Sequence, residues 1–440
     1  MNMAALYSEH LENLLANHRG LMQKNGYDTL LIPSGEPVGI YLDDMDYPFK
    51  SSFFFRTYVP LTGLPFSYLI IGLSGKPKLV YYQPADYWHT PPSDPAGYWV
   101  EHFDLVVVSE QAQIAEHLPK DDGKLAILGG QNSVTTRFSK SSHNPEKLIN
   151  EIYWQRAYKS DYEIACIQQA NLLAAKAHKA AENAFREKKS EQQIHLAYLE
   201  SLGVLEHELP YGNIVCLNEH ASILHYMDSS SHMPEKHLSF LIDAGATVNG
   251  YHADITRTYS HSDGEFADLI QAMDKAQLAC IDSIEVGKSY VDLHIETHLR
   301  IAQILKDFDL LDMSADSIVE AGLSNVFFPH GLGHFIGLQV HDVGGHFADQ
   351  TGVIKSPPDA HPFLRLTRII EAGMAFTIEP GLYFIEMLLR PHKSGSYCNA
   401  FNWEKIDRLK PYGGIRIEDN VVVKGNKVVN LTREAFKMND

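Results

Sequence analysis

The run from Ser239 to Tyr259, S-F-L-I-D-A-G-A-T-V-N-G-Y-H-A-D-I-T-R-T-Y, constrains this chain more than any other stretch. Apolar residues flank Asp243 and Asp254. Asn249-Gly250 between them is the strongest short-range signal for a two-residue hairpin turn, because both central residues of that turn need positive φ. With that turn Val248 faces Tyr251, Asp243 faces Thr256 and Gly245 faces Asp254. The two aspartates then share one face as diagonal neighbours, with Cβ atoms roughly 7 Å apart or somewhat less. So close together among Leu, Ile, Ala, Val and Tyr, two carboxylates suffer desolvation and mutual repulsion unless a cation lies between them. A solvated hairpin carrying two surface acids is the plainer reading, and the rest of the chain must decide.

A chain of 440 residues exceeds one compact core and is expected to hold two domains, one of them large. Its 45% hydrophobic and 21% charged content is that of a soluble globular protein. The net charge of -18 and pI near 5.6 argue against nucleic acid or an anionic membrane as partner, since both demand a basic face. Cys166, Cys216, Cys280 and Cys398 show no C-x-x-C spacing, so neither a zinc knuckle nor a disulfide framework is indicated, and a reducing cytoplasm fits. The start, M-N-M-A-A-L-Y-S-E-H, lacks a basic and apolar signal pattern, and no run reaches the ~18 apolar residues of a spanning helix.

Along residues 1–158 the pattern reads as a small α/β domain. A helix is expected over Glu9 to Asn25, strands over Asp28 to Pro33, Ser67 to Gly72, Pro77 to Tyr82, Asp104 to Val108 and Lys124 to Leu128, and a helix near Gln111 to Leu118. The acidic, aromatic stretch Leu42 to Phe49 reads as a solvated loop. Residues 159–440 form the second domain. Ser160-Asp-Tyr-Glu163 and Ser190-Glu-Gln-Gln193 are capping boxes that open helices to about Lys188 and Leu202. Strands at Asn213 to Leu217 and Ile223 to Tyr226 lead to the hairpin. Helices from Ser262 to about Val286, from Ser289 through Lys306 and from Ser314 to Ala321 follow, the last closed by Gly322. Helix-helix-strands thus occurs twice, which predicts a duplicated α+β unit with one curved sheet and helices outside it.

Three later stretches carry polar groups suited to chemistry. Phe327 to Gly345 holds His330, His334 and His341 among five glycines, which make a helix costly and predict a looped segment. Its Gly331-x-Gly333-x-x-x-Gly337 has the wrong spacing for a nucleotide loop. Met374 to Tyr383 is an apolar strand ending on Glu379. In Gly413 to Val423, alternation puts Arg416 and Glu418 on one face and Ile415 and Ile417 on the other. Taken singly these are ordinary core or surface groups. Together, two Asp, two Glu and one His are enough for two divalent ions sharing carboxylate bridges, and the oxygen-rich set favours hard ions such as Mn²⁺.

The order D-x10-D, H-G-L-G-H, I-E-P-G, G-G-I-R-I-E resembles the metallopeptidases of the creatinase, prolidase and methionine aminopeptidase superfamily. Tyr211-Gly-Asn, Ile223-Leu-His-Tyr226, Phe328 to His334, Gln339 to Gly345, Leu42-Asp-Asp-Met45 and Tyr47-Pro-Phe-Lys50 are similar to the bacterial Xaa-Pro dipeptidases, also called organophosphorus acid anhydrolases. The resemblance implies an α/β N-terminal domain, and an α+β C-terminal domain with the pita-bread fold. It implies that Asp243 and Asp254 bind one metal, that Asp254, His334 and Glu379 bind a second, and that Glu418 bridges both. A bridging hydroxide would then attack the peptide carbonyl, with Glu379 as base.

By the same resemblance His225, His330 and His341 line the pocket as donors or proton shuttles. Arg365 and Arg416 hold the substrate carboxylate, which restricts cleavage to dipeptides. Tyr211, Leu224, Tyr290, Val340 and Leu364 form walls, and Asp44 reaches the neighbouring subunit's site in a homodimer or dimer of dimers. Phe335 departs from the relatives, where a polar ring such as His is expected after His334. Hydrolysis of organophosphorus P-F and P-O bonds is implied as a side activity, because tetrahedral phosphorus resembles the peptide transition state. Two alternatives remain at this stage: an aminopeptidase P that trims longer peptides, and an inactive pita-bread module that binds them.

Overall fold

The computed structural model describes residues 2–439. They divide into two units: Met1–Arg156 with Ser160–Ala165 and Asp349–Val353, and Ala157–Lys159 with Cys166–Ala348 and Ile354–Asp440.

The first unit is α/β. Its strands β1 (Thr29–Pro33), β2 (Tyr68–Gly72), β3 (Lys78–Tyr82), β4 (Asp104–Val108), β5 (Leu125–Ile127) and β6 (Ser142–His143) form one sheet in the order β4-β3-β2-β1-β5-β6. The β1–β2 and β2–β3 pairs are antiparallel and the others parallel. Leu30, Leu31 and Ile32 of central β1 are wholly buried, as a strand covered on both faces requires. The first helix begins at Met3 rather than Glu9, because the Asn2 side chain accepts from Ala5 N and caps it. Leu42 to Pro48 stays exposed, in a loop pinched by the Gly39–Asp46 pairing.

Both expected capping boxes form, opening Asp161–Arg186 and Glu191–Leu202. Ala177, Ala181 and Phe185 recur along one face of the longer helix and pack on Val215, Phe240 and Ile242. Those residues belong to β7 (Ile214–Leu217) and β8 (Ser239–Asp243), which join β11 (Thr256–Ser260) in a sheet of order β11-β8-β7. Between β8 and β11, β9 (Thr247–Val248) and β10 (Tyr251–His252) flank Asn249 and Gly250, with φ of 51° and 85°. The register is the one the turn dictates: Val248 faces Tyr251 and Asp243 faces Thr256.

Helices Glu265–Asp282 and Tyr290–Asp307 precede the second group of strands, β12 (Ala375–Ile378), β13 (Gly381–Tyr383), β14 (Gly414–Arg416), β15 (Asp419–Lys424) and β16 (Lys427–Asn430). They pair as β12-β15-β16 and β13-β14, and a Thr256–Glu418 pairing joins the hairpin to them. Residues 328–345 contain no helix, as the glycines predicted.

Two further expectations change. Ile223 to Tyr226 is a turn, not a strand: Asn218, at φ 57°, takes Leu238 N and Ser239 N onto its side-chain oxygen and diverts the chain from β7. The helix expected from Ser262 to Val286 spans Glu265–Asp282, because Gly264 at φ 135° lies outside helical geometry.

Candidate metal centre

Asp243 closes β8 and Asp254 lies two residues before β11, on the same face of the hairpin. The Tyr211 hydroxyl lies 2.8 Å from Asp243 Oδ1 and 2.5 Å from Asp254 Oδ1. One phenolic proton serves only one of these contacts, so the carboxylate pair calls for further positive charge. Asn420 fixes Asp254 through its backbone, accepting from Asp254 N at 3.0 Å and donating to Asp254 O at 2.6 Å.

Glu418 enters from the other strand group. Its Oε2 accepts from Thr256 Oγ1 at 2.8 Å, while its buried Oε1 has no hydrogen-bond partner. The looped segment brings in His334, whose Nδ1–H donates to Phe335 O at 2.9 Å. That tautomer turns the Nε2 lone pair toward the acids, 3.5 Å from both Asp254 Oδ2 and Glu379 Oε1. Thr377 Oγ1 steadies both residues, accepting from His334 N at 3.1 Å and donating to Glu379 Oε1 at 3.3 Å.

Asp243, Asp254, Glu379 and Glu418 thus meet in one buried place. Burial, and then the neighbouring carboxylates, push Glu418 well above the usual range. Burial raises Glu379 to about 7 against the pull of His334, and raises Asp243 despite Arg416. At Asp254 burial pushes upward, but His334, Tyr211 and His341 together outweigh it and the carboxyl is lowered. The donor set fits divalent cations. Glu418 Oε1 lacks a partner, His334 presents a lone pair, and ligand atoms of Asp254, His334 and Glu418 lie within 4.8 Å of one another.

The other expected residues divide into three groups. Arg416 is buried, with donors to Asp243 Oδ2 at 2.8 Å, Tyr383 OH at 2.9 Å and Thr256 Oγ1 at 3.2 Å. It is therefore engaged inside the centre, and not extended toward a substrate carboxylate as expected. His330 is part of the same chain: Tyr383 OH lies 2.9 Å from its Nε2, and its Nδ1–H donates to Gly331 O at 2.8 Å. Burial, with Arg416 nearby, lowers His330 to about 3, so it is neutral.

Tyr290 and Leu364, expected as pocket walls, are buried in an apolar cluster with Phe376 and Leu332. Tyr290 OH donates to Thr377 O at 2.8 Å, which leaves it no group facing solvent. His225, His341 and Arg365 are exposed, Tyr211, Leu224 and Val340 half-buried. His225 and Arg365 lie close enough to His341 to act on its charge, and the His341 ring meets His334 edge-on at 4.3 Å between centroids. Asp44 is exposed in the loop of the first unit.

Sequence reasoning passed over Tyr383, Thr256, Thr377 and Asn420. Thr256 was within reach, since the hairpin register sets it opposite Asp243. Asn420 lies two residues beyond Glu418 on the same strand alternation. Tyr383 and Thr377 carried no signal, because their partners are distant in sequence.

The fold and site define a metallopeptidase of the pita-bread type. Residues 165–425 match the model of metallopeptidase family M24 and residues 5–154 that of the Xaa-Pro dipeptidase N-terminal domain, and the chain belongs to family M24. A Xaa-Pro dipeptidase of Colwellia psychrerythraea is 45% identical over 432 residues, covering 98% of each chain. One from Pseudoalteromonas haloplanktis is 46% identical with the same coverage. Among solved structures, zinc-substituted E. coli aminopeptidase P in complex with product has the same fold, with a TM-score of 0.70 at 20% identity over 97% of this chain and 98% of that chain.

Proposed function

We propose that this chain hydrolyses Xaa-Pro dipeptides, with Asp243, Asp254, His334, Glu379 and Glu418 as ligands of two divalent ions, Mn²⁺ by donor hardness. One observation carries the reading: four carboxylates, two buried and two half-buried, and one correctly oriented imidazole converge while Glu418 Oε1 stays unpartnered. Identity to named dipeptidases over nearly the whole chain supports it.

Two such ions would supply Lewis acidity and a water acidic enough to attack an amide carbonyl near neutral pH. Glu379 would stand beside that water, where its carboxylate could take the proton and return it toward the leaving proline nitrogen. Arg416 holds Asp243 and Tyr383 in place, and Tyr383 in turn orients His330. At the rim, exposed His341 and His225 donate to the carbonyl oxygen, while exposed Arg365 takes the carboxylate of proline. That fixed cation favours dipeptides over longer chains.

The chain works in a reducing cytoplasm, in keeping with its free cysteines. No helix among the described residues is long and apolar enough to cross a membrane. It assembles at least as a dimer through the Asp44 loop, where Tyr41 and Leu42 are 88% and 89% exposed. Equilibrium sedimentation of Leu42→Asp, which should be monomeric, checks that assembly.

The deciding assay strips metal, restores Mn²⁺, Co²⁺ or Zn²⁺, and compares Leu-Pro, Ala-Pro and a tripeptide with proline second. Dipeptide cleavage restored by Mn²⁺ is expected. Equal cleavage of the tripeptide would favour the aminopeptidase P reading, and inertness with every metal a binding module. Phosphofluoridate hydrolysis by the Mn²⁺ form is expected as a side activity, and its absence would remove that part.

A further inference from the structure

Behind the metallopeptidase centre lies a second cluster of metal-ligating side chains that the reaction does not use. His294 and His298 stand one helical turn apart on Tyr290–Asp307, and His361 approaches them from the loop that carries Leu364 and Arg365. Their ring centroids form a nearly equilateral triangle: 4.6 Å from His294 to His298, 4.6 Å from His294 to His361 and 4.5 Å from His298 to His361. One ligand nitrogen from each lies within 4.8 Å of the others. Nitrogens around a tetrahedral ion at Zn–N of about 2.05 Å stand roughly 3.3 Å apart, so small ring rotations close the site.

Satisfied core histidines are the competing explanation, and the hydrogen bonds speak against it. His294 is 1% exposed, and neither of its ring nitrogens has a partner. His298 is fully buried; its Nδ1 meets Ser324 Oγ at 3.0 Å, and its Nε2 has no partner. Three buried, unpartnered imidazole nitrogens are costly unless something uses them. The tautomer in which His298 Nδ1–H donates to Ser324 Oγ leaves the Nε2 lone pair for a cation, the arrangement in which an outer partner orients a ligating imidazole. Burial, and then the neighbouring histidines, hold His294 and His298 far below the usual imidazole range, so both are already in the unprotonated, ligating form.

We propose that His294, His298 and His361 form a mononuclear site for a borderline transition metal, Zn²⁺ foremost, distinct from the carboxylate centre. Three imidazoles with no carboxylate select zinc, copper or nickel over Mn²⁺, the reverse of the preference of the oxygen-rich centre. The half-exposed His361 leaves a fourth position for water. Bound metal clasps the loop, which begins with His361 N donating to Pro358 O and continues with Leu364 N donating to His361 O, onto the helix.

The test uses full-length protein saturated with Mn²⁺, then exposed to ZnCl₂ and gel-filtered before total metal is counted. Wild type should retain one metal equivalent per chain more than His361→Ala, whose zinc affinity at this site falls at least ~100-fold, beyond the loss caused by removing an outer partner. Zinc should raise the melting temperature of Mn²⁺-loaded wild type and not that of His361→Ala. His298→Gln repeats the comparison should the first variant fold poorly. Anomalous scattering at the zinc edge should place a peak among the three rings. Equal metal counts in wild type and both variants, or zinc peaks confined to Asp243, Asp254 and their neighbours, would overturn the site. Both outcomes can be read whether or not Leu-Pro is cleaved.

Discussion

Gly333, between His330 and His334, offers a sharp test of how the centre is supported. A methyl group there would lie 2.2 Å from Thr377 O, 2.5 Å from Tyr290 OH and 2.7 Å from Thr377 Oγ1, where ordinary contact begins at 3.4 Å. The carbonyl cannot retreat: Thr377 pairs with Asn420 across β12 and β15, and its oxygen accepts from Tyr290 OH. The His334 loop must therefore move by about 1 Å, an overpacking worth about 1–3 kcal/mol. Movement also loosens His334 N to Thr377 Oγ1 and Thr377 N to His334 O, near 1 kcal/mol each. Gly333→Ala should thus lose about 2–5 kcal/mol in urea unfolding of the metal-free protein. Because ligand distances must hold within about 0.2 Å, Mn²⁺ affinity by calorimetry should fall at least tenfold. Gly20→Ala is the control: Gly20 is an exposed residue inside Met3–Asn25 with nothing within 4 Å of the added carbon, and it should gain about 0.5–1 kcal/mol. A Gly333→Ala protein within about 0.5 kcal/mol of wild type, with unchanged metal affinity, would refute this account.

Three other outcomes follow from the same geometry. Glu418→Gln should lose Mn²⁺ binding by calorimetry while the metal-free protein melts no lower than wild type, since the amide cannot take on the charge that burial and the neighbouring acids already disfavour. Tyr211→Phe should weaken Mn²⁺ binding far less than Glu418→Gln, because it deletes a hydrogen-bond donor and no ligand; metal loss equal to that of Glu418→Gln would count against the roles assigned here. His178 is fully buried, donates to Ala244 O at 2.9 Å and is lowered by burial to about 3, so the native state refuses a proton that the unfolded chain takes near 6.5. Its contribution is complete above pH 6.5 and is lost as pH falls toward 3; below pH 6, His178→Phe should flatten the stability profile by about 1.4 kcal/mol per pH unit, read from urea midpoints.

Local chemistry made much of the centre legible. Asn249-Gly250 sets the hairpin register through two positive φ values, and with it the face shared by Asp243 and Asp254. Ser160 and Ser190 mark helix starts because their side chains satisfy the first-turn donors within four residues. The pattern failed where a distant partner governs the backbone. Asn218 turns the chain through contacts with Leu238 and Ser239, about twenty residues away by sequence number. Arg416 shows the same limit at the site. Alternation placed it correctly on the Glu418 face, yet only the folded chain reveals that Asp243 and Tyr383 occupy its donors.

The amino-acid order by itself determined which side chains are acidic, basic or imidazole, where turns and caps fall, and which face of each strand is polar. These depend on a residue and its near neighbours. The tertiary structure alone decided which lone pairs remain unpartnered: Glu418 Oε1 beside Asp254, and the His294 and His298 nitrogens facing His361. The reason is physical. Whether a buried polar atom is satisfied depends on groups brought to within about 3 Å by folding, however far apart they stand along the chain.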